Sequence, residues 1–324
     1  MVPWLRGTRG ARPARVDPGS EVATVVRRVA VMVAAGLGVE RVWDHLSETG
    51  DYSAATRALL RACHRAGRDG RDVPGAVRDQ VGPGSGGHDP ASASWLGLAA
   101  TLAVAERAGA PLAHCLHRLA ESYEANAQGR RAMTVSLSGS RATARLMMWL
   151  PAVSIGLSSV LGFNTIAVLV GTLPGLVCAA LGATLTVLGA LWSNRMITRA
   201  SRGTATPGIC LDLTALAVSG GGSLRDARRL VADTVERFGL EEGAEPVIAQ
   251  RSLALADRAG VPAADLLSAD ADLVRAEHTA EAGRRAASLG VALMVPLAVC
   301  TLPAFMLLGV VPMMLSILST VWVW

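Results

Sequence analysis

Residues 146–192 read LMMWLPAVSIGLSSVLGFNTIAVLVGTLPGLVCAALGATLTVLGALW, 47 positions without a charged side chain. Arg141 and Arg145 precede the run, and Arg195, Arg199 and Arg202 follow it. A membrane-spanning helix needs roughly 20 mostly apolar residues. The polar break Phe163-Asn164-Thr165 divides the run into Leu146–Gly162 and Ile166–Trp192, each near that length. The reading is a helical hairpin whose open end carries both arginine clusters. Cationic flanks favour the cytoplasmic side, so the turn is expected outside. A buried hairpin of a soluble protein is the competing reading, and uncharged runs of this length weigh against it.

A second run supports the bilayer. Ser288 to Trp324 is 37 residues without a charge, entered through Arg284 and Arg285. As one helix it would extend about 55 Å at ~1.5 Å per residue, more than a bilayer requires. The favoured expectation is one span near Val291–Leu318 with Trp322 and Trp324 at the outer interface, where amphipathic rings sit. The alternative is a turn back beginning at Pro312.

All 31 basic residues are arginine, and the chain has no lysine. A P-loop needs a lysine for the outer phosphates and a Schiff-base enzyme needs an amine, so both classes are excluded. Residues 1–145 carry a net +6 and residues 193–287 a net −1. Cys63, Cys115, Cys178, Cys210 and Cys300 form no short pair, so they read as isolated small apolar residues suited to a reducing compartment. No cofactor is expected.

Residues 1–20, with Arg6, Arg9, Arg12 and Arg15 among Gly and Pro, form a basic arm without the apolar core of a secretory signal. Attraction to anionic lipid is its simplest role, and nucleic acid is not expected as a partner. From Glu21 the spacing turns helical, with Val22, Val25, Val26, Val29 and Val33 on one face. A break follows at Gly36–Gly38, then a stripe of Val39, Val42, Trp43 and Leu46, then a third helix over Tyr52–Ala66 closed by Gly67. Gly70–Ser92, with its glycine-rich Val81–Gly87, reads as loop. Helix returns over Ser94–Ala108 and ends in Glu106-Arg-Ala-Gly109-Ala-Pro111, where glycine suits a left-handed cap and proline the next first turn. The helix that follows should continue past Arg130, Arg131, Arg141 and Arg145 into the membrane.

The same order recurs later. Asp257-Arg-Ala-Gly260-Val-Pro262 repeats the Glu106–Pro111 turn 151 residues on, Arg284-Arg285 answers Arg130-Arg131, and Leu302-Pro303-Ala304 answers Leu150-Pro151-Ala152. Gly36 and Gly220 are 184 apart, and the difference is assigned to the loop around Gly82–Gly87. Such similarity signals duplication. The expected architecture is an all-α integral membrane protein: arm 1–20, cytoplasmic helical-bundle repeats at 21–145 and 193–287, a transmembrane hairpin at 146–192, and a third transmembrane helix within 288–324.

Two repeats, each with a Gly-rich break, an acidic-x-x-Gly-x-Pro turn and a basic helix leading to a Leu-Pro span, resemble the type II secretion system F domain family. The resemblance covers about residues 21–318 and is clearest in Asp257–Pro262 and in Val295–Pro312, which looks like the end of TadB and TadC proteins of Tad (Flp) pili. It implies a non-enzymatic inner-membrane platform protein, with the N-terminus in the cytoplasm, that couples a cytoplasmic ATPase to pilin extrusion. The implied partners are that ATPase, a second platform protein, pilin-like subunits, the lipid bilayer, and further copies in a homo- or hetero-oligomer.

His114, His117 and Glu121 at i, i+3 and i+7 are the candidate metal ligands, since two histidines and a carboxylate can bind zinc. The spacing is not that of a known zinc helix motif, so a solvated polar face is preferred. Ser219–Ser223 reads as a helix break rather than a phosphate cradle. A small-solute permease is the alternative function and a membrane metallohydrolase the third. The spans lack the ionisable residues carriers place inside the membrane, although Pro151, Pro174, Pro296 and Pro303 are candidate helix breaks.

Overall fold

A computed structural model describes residues 18–82, 89–160, 171–200, 206–240, 243–312 and 314. The arm before residue 18, the turn Phe163-Asn164-Thr165, Arg202, Trp322, Trp324 and most of the glycine run before Gly87 lie outside the described residues. So do the side chains of Arg141, Arg145 and Arg199. All the described elements are helical. They divide into two compact units, one from Met1–Gly129 and Thr204–Thr279, the other from Arg130–Gly203 and Ala280–Trp324.

The first unit begins with α1 (Pro18–Ala34), α2 (Val39–Thr49), α3 (Ala54–Arg68), α4 (Val73–Val81) and α5 (Pro90–Ala108). The start of α6 (Leu112–Val160) follows, and α8 (Ile209–Ser219), α9 (Leu224–Phe238), α10 (Glu245–Ala259) and the start of α11 (Ala263–Ala292) complete it. At its centre lies α5, where every residue from Ala93 to Ala105 is buried. Its sequence has no polar face, and a helix apolar all round must be covered on all sides. It packs against α1 and α4 from the first half and against α8 and α9 from the second. Helices from residues 21–145 and from residues 193–287 therefore contribute to one core. Val25, Val29 and Trp43 share one core with Leu213, Val231 and Phe238, because α5 needs covering from both halves.

Two helical features correct the loop reading of Gly70–Ser92. Val73–Val81 is helical, with Pro74 in its first turn and Val77 fully buried, and α5 starts at Pro90. The third helix also runs through Gly67 to Arg68. In chain order α8, α9, α10 and α11 lie about the turn at Gly260 as α1, α2, α5 and α6 lie about the turn at Gly109, while α3 and α4 come between α2 and α5. The extra length of the first half is thus mainly a pair of helices rather than a loop.

In the second unit α6 continues through Pro151 to Val160, and α7 (Leu173–Ala200) begins with Thr172 Oγ1 accepting the Gly175 N–H at 3.2 Å. Pro174 therefore starts a helix instead of kinking one, a position where its missing N–H costs nothing. The 25 residues Leu173–Ile197 are long and apolar enough to cross a membrane, as is part of the continuous run Ala263–Val310. Past Ala292 that run alternates short α pieces with π-helical turns at Leu297–Thr301 and Met306–Val310. Each wide turn precedes a proline, Pro303 or Pro312, whose ring and missing N–H disturb the regular ladder. Pro312 itself lies within helix.

α7 and this tail run antiparallel. Met196 and Ile197 pack on Leu289 and Leu293, a Cβ at Gly189 would meet the Cβ of Cys300 at 2.9 Å, and one at Gly182 would meet Leu308 at 2.5 Å. Gly175, Gly182 and Gly189 are all buried at seven-residue spacing. Small residues on one face let two helices approach closely where lipid supplies no hydrophobic drive between them. The rest of α7 exposes Leu176, Leu181, Val187 and Leu188, an arrangement that suits an apolar surrounding rather than water.

Candidate functional site

The two acidic-x-x-Gly-x-Pro turns have the same geometry. Gly109 and Gly260 both lie at φ 64°, in the left-handed region, and their N–H groups donate to Ala105 and Ala256. The next N–H groups, of Ala110 and Val261, donate to the same carbonyls at 3.2 and 3.3 Å. Pro111 and Pro262 immediately precede α6 and α11. Glu106 and Asp257 are exposed and have no ion-pair partner among the described residues. A Cβ added at Gly109 or Gly260 meets nothing within 4 Å, so substitution strains the backbone alone. Gly109→Val and Gly260→Val should each cost about 1–2 kcal/mol, the left-handed penalty of a side chain, in denaturant titrations of the detergent-solubilised chain. A cost near zero at both would show that these caps do not hold the turns.

At the earlier breaks the correspondence shifts by one residue. Gly36 has φ 87°, but its geometric partner is Gly221 at φ 82°, since the N–H groups of Gly36 and Gly221 donate to Val33 and Val218 three residues back. Gly220 serves a different need. A Cβ there would stand 2.1 Å from the carbonyl oxygen of Ala108, so this glycine lets the end of α8 touch the end of α5. Ser223 then caps α9 by accepting the Asp226 N–H at 3.1 Å, which makes Ser219–Ser223 a break followed by a cap.

Polar chemistry inside the first unit concentrates where α6, α8 and α11 meet. Asp212 in the first turn of α8 accepts from Arg275 Nη1 at 2.7 Å, with Arg118 Nη2 3.6 Å from its other oxygen. Arg118 also donates to the Ser268 carbonyl at 2.9 Å and to Asp272 at 3.1 Å, and Arg275 donates to Asp272 at 2.7 Å. Burial pushes the Asp212 carboxyl above its ordinary value, and the Arg275 and Arg118 charges offset only part of that. Asp272 is less enclosed. Burial would raise it too, but the Arg275 hydrogen bond and the two guanidinium charges outweigh this and hold it low. Nearby, buried Glu245 accepts the N–H groups of Gly208 at 2.6 Å and Cys210 at 2.9 Å, closing the N-terminus of α8.

A second ion pair joins α1 to α6. Arg27 on α1 and Glu124 on α6 meet at 2.7 Å, as do Asp212 on α8 and Arg275 on α11. The polarity is reversed, and this pair is half-exposed.

The metal candidates do not converge. His117 lies 3.4 Å from Glu121 with both side chains 60% exposed, His114 is exposed, and no group of three potential ligands gathers among the described residues. Burial pushes the Cys63 and Cys115 thiols up to about 12, which leaves them unreactive. Of the arginines flanking the apolar runs, Arg131, Arg195, Arg284 and Arg285 are exposed and Arg130 is half-buried, with Arg285 pairing to Glu281.

Among the described residues every element is thus helical, and two helices are long and apolar enough to cross a membrane. The family model described as type II secretion system (T2SS), protein F, matches residues 25–159, from within α1 almost to the end of α6. No curated protein and no solved structure matches the chain.

Proposed function

We propose that this chain is an inner-membrane platform protein of a type II secretion or Tad (Flp) pilus machine, coupling a cytoplasmic ATPase to the extrusion of pilin-like subunits. The match of residues 25–159 to the protein F family carries the reading, because the matched stretch takes in α2 to α5 whole together with nearly all of α6. At ~1.5 Å per residue, the 49 residues of α6 make a helix about 73 Å long, enough to pass from a cytoplasmic unit across a bilayer. The chain crosses three times, with the N-terminus inside, in this reading. The antiparallel packing of α7 and the tail supports one outward crossing after one inward crossing. The chain has no lysine-based P-loop, so the nucleotide chemistry belongs to a partner.

Reporter fusions at Arg202 and at the C-terminus should report cytoplasm and exterior respectively. Deleting the gene should abolish surface pili or secreted pseudopilins, and the full chain in nanodiscs should bind the ATPase encoded beside it. Solute uptake lost on deletion, with pili intact and no ATPase binding, would replace this reading with a permease.

A further inference from the structure

α3 differs from the rest of the first unit in charge, whereas its neighbour α4 carries one arginine and one aspartate. α3 carries Arg57, Arg61, Arg65 and Arg68 and no acidic residue. All four are exposed and none forms an ion pair among the described residues, although the charge of Asp69 just past the helix is felt at Arg65 and Arg68. Arg61 and Arg65 donate through Nε to the carbonyls of Arg57 and Arg61, at 3.2 and 3.3 Å, so the side chains lie in a row along the helix. Like charges four residues apart destabilise a helix. The helix is nevertheless firmly seated. Leu59, Leu60 and Cys63 are buried beneath it, Ser53 caps it by accepting the Thr56 N–H, and Glu21 from α1 accepts the Ser53 N–H.

We infer that α3 is a docking site for an acidic helical segment of a cytoplasmic partner protein. The four arginines span 12 residues, a rise of about 16 Å at ~1.5 Å per residue, and the i, i+4, i+8 spacing of the first three matches carboxylates on one face of a facing helix. Beside the row a cleft of about 600 Å³ opens between α3 and α4, lined by Arg65 and by the paired Arg78–Asp79 and Arg237–Asp72, with Ala66 and Gly75 at its base. A concave site with a mixed but net basic wall, where Arg65 alone of these is unpaired, takes protruding side chains of a polypeptide. A bilayer surface cannot enter it, and every large apolar side chain of α3 points into the core, leaving nothing to insert into lipid. No exposed Trp, Tyr or Phe on α3 or α4 offers a nucleobase a stacking platform. The second half lacks α3 and α4, so the site belongs to the first half alone.

The identification of the partner as the ATPase rests on the platform reading, whereas the chemistry of the site does not. The test therefore uses a synthetic helical peptide of about 20 residues with Glu at every fourth position, titrated onto the full chain in phosphatidylcholine nanodiscs. Wild type should bind it at least about tenfold more tightly than R57Q/R61Q/R65Q/R68Q, with the advantage shrinking as salt rises. R228E/R229E on α9 should match wild type, and unchanged circular dichroism should show that the glutamine variant is folded. Equal affinity in wild type and the glutamine variant overturns the inference. Displacement of the peptide by phosphatidylglycerol vesicles, or by single-stranded RNA at equal charge concentration, overturns it in favour of lipid or nucleic acid. If the peptide result holds and the neighbouring ATPase fails to bind wild type, only the platform reading falls.

Discussion

Asp212→Ala will destabilise the first unit by about 3–5 kcal/mol, the usual cost of removing one member of a buried ion pair. Against the roughly 5–15 kcal/mol that holds a typical domain, this is a large fraction. The loss comes less from the missing attraction than from what remains. Arg275, with its side chain 13% exposed, keeps only its bond to the more exposed Asp272, and Arg118 keeps Ser268 and Asp272. Hydrogen exchange on the full chain in detergent should show faster opening of α5 and α8 by roughly two to three orders of magnitude, at tenfold per ~1.4 kcal/mol. Arg27→Ala removes a member of the matching exposed pair and should cost no more than about 1 kcal/mol. Asp212→Leu combined with Arg275→Met should recover much of the stability, since apolar replacement of a whole buried pair is often neutral or better. Equal effects of Asp212→Ala and Arg27→Ala would refute the role assigned to burial.

The sign of the pH response follows from the same group. Asp212 has a raised carboxyl in the folded unit, so the folded state takes up the proton first. As pH falls from 7 through that raised value toward 3.8, wild type should gain stability relative to Asp212→Asn. Asp272, held low, contributes stability above 3.8 and loses it as pH falls further through its folded value. Melting temperatures of the two proteins measured across this range test the sign of that gain.

The second large effect is expected at Glu245. Its two oxygens satisfy the Gly208 and Cys210 N–H groups at the buried start of α8, and alanine would strand both. A buried donor left without a partner costs about 1–3 kcal/mol, so Glu245→Ala should cost roughly 2–6 kcal/mol. Glu245→Gln keeps one acceptor oxygen and should fall between wild type and alanine. The amides of Gly208–Leu211 are where exchange should accelerate first. Unchanged protection there in the alanine variant would mean that Glu245 does not close this helix end.

Patterns with a local cause were readable from the chain. The turns at Gly109 and Gly260 were, because a left-handed cap needs glycine at one fixed place and a proline can follow it. The apolar stretch that becomes α7 was also evident, because its exclusion of charge is independent of partners. What escaped depends on long-range packing or on weak signals. α4 has only nine residues and contains a glycine, so Pro74 and the preceding Asp72 were its main announcements. The common core around α5 was hinted at by the run Trp95–Ala105, which offers no polar face, but only the partners from the second half show how it is covered. The close approach at Gly220 cannot be read locally, since it depends on Ala108 arriving from more than 100 residues away. The buried glycines at 175, 182 and 189 were visible as a seven-residue rhythm, yet their meaning required the antiparallel tail.

The reversed ion pairs give α1 and α8 an address. Each of these short helices holds one side chain that meets an opposite charge on a longer helix, α1 on α6 and α8 on α11. Seating α8 in the berth of α1 would set Asp212 against Glu124, and seating α1 in the berth of α8 would set Arg27 against Arg275. Each misplacement brings like charges together, and in the second case at a buried position. Correct assembly brings opposite charges to 2.7 Å in both places. The sign of one side chain on each of α1 and α8 thus distinguishes the two seats.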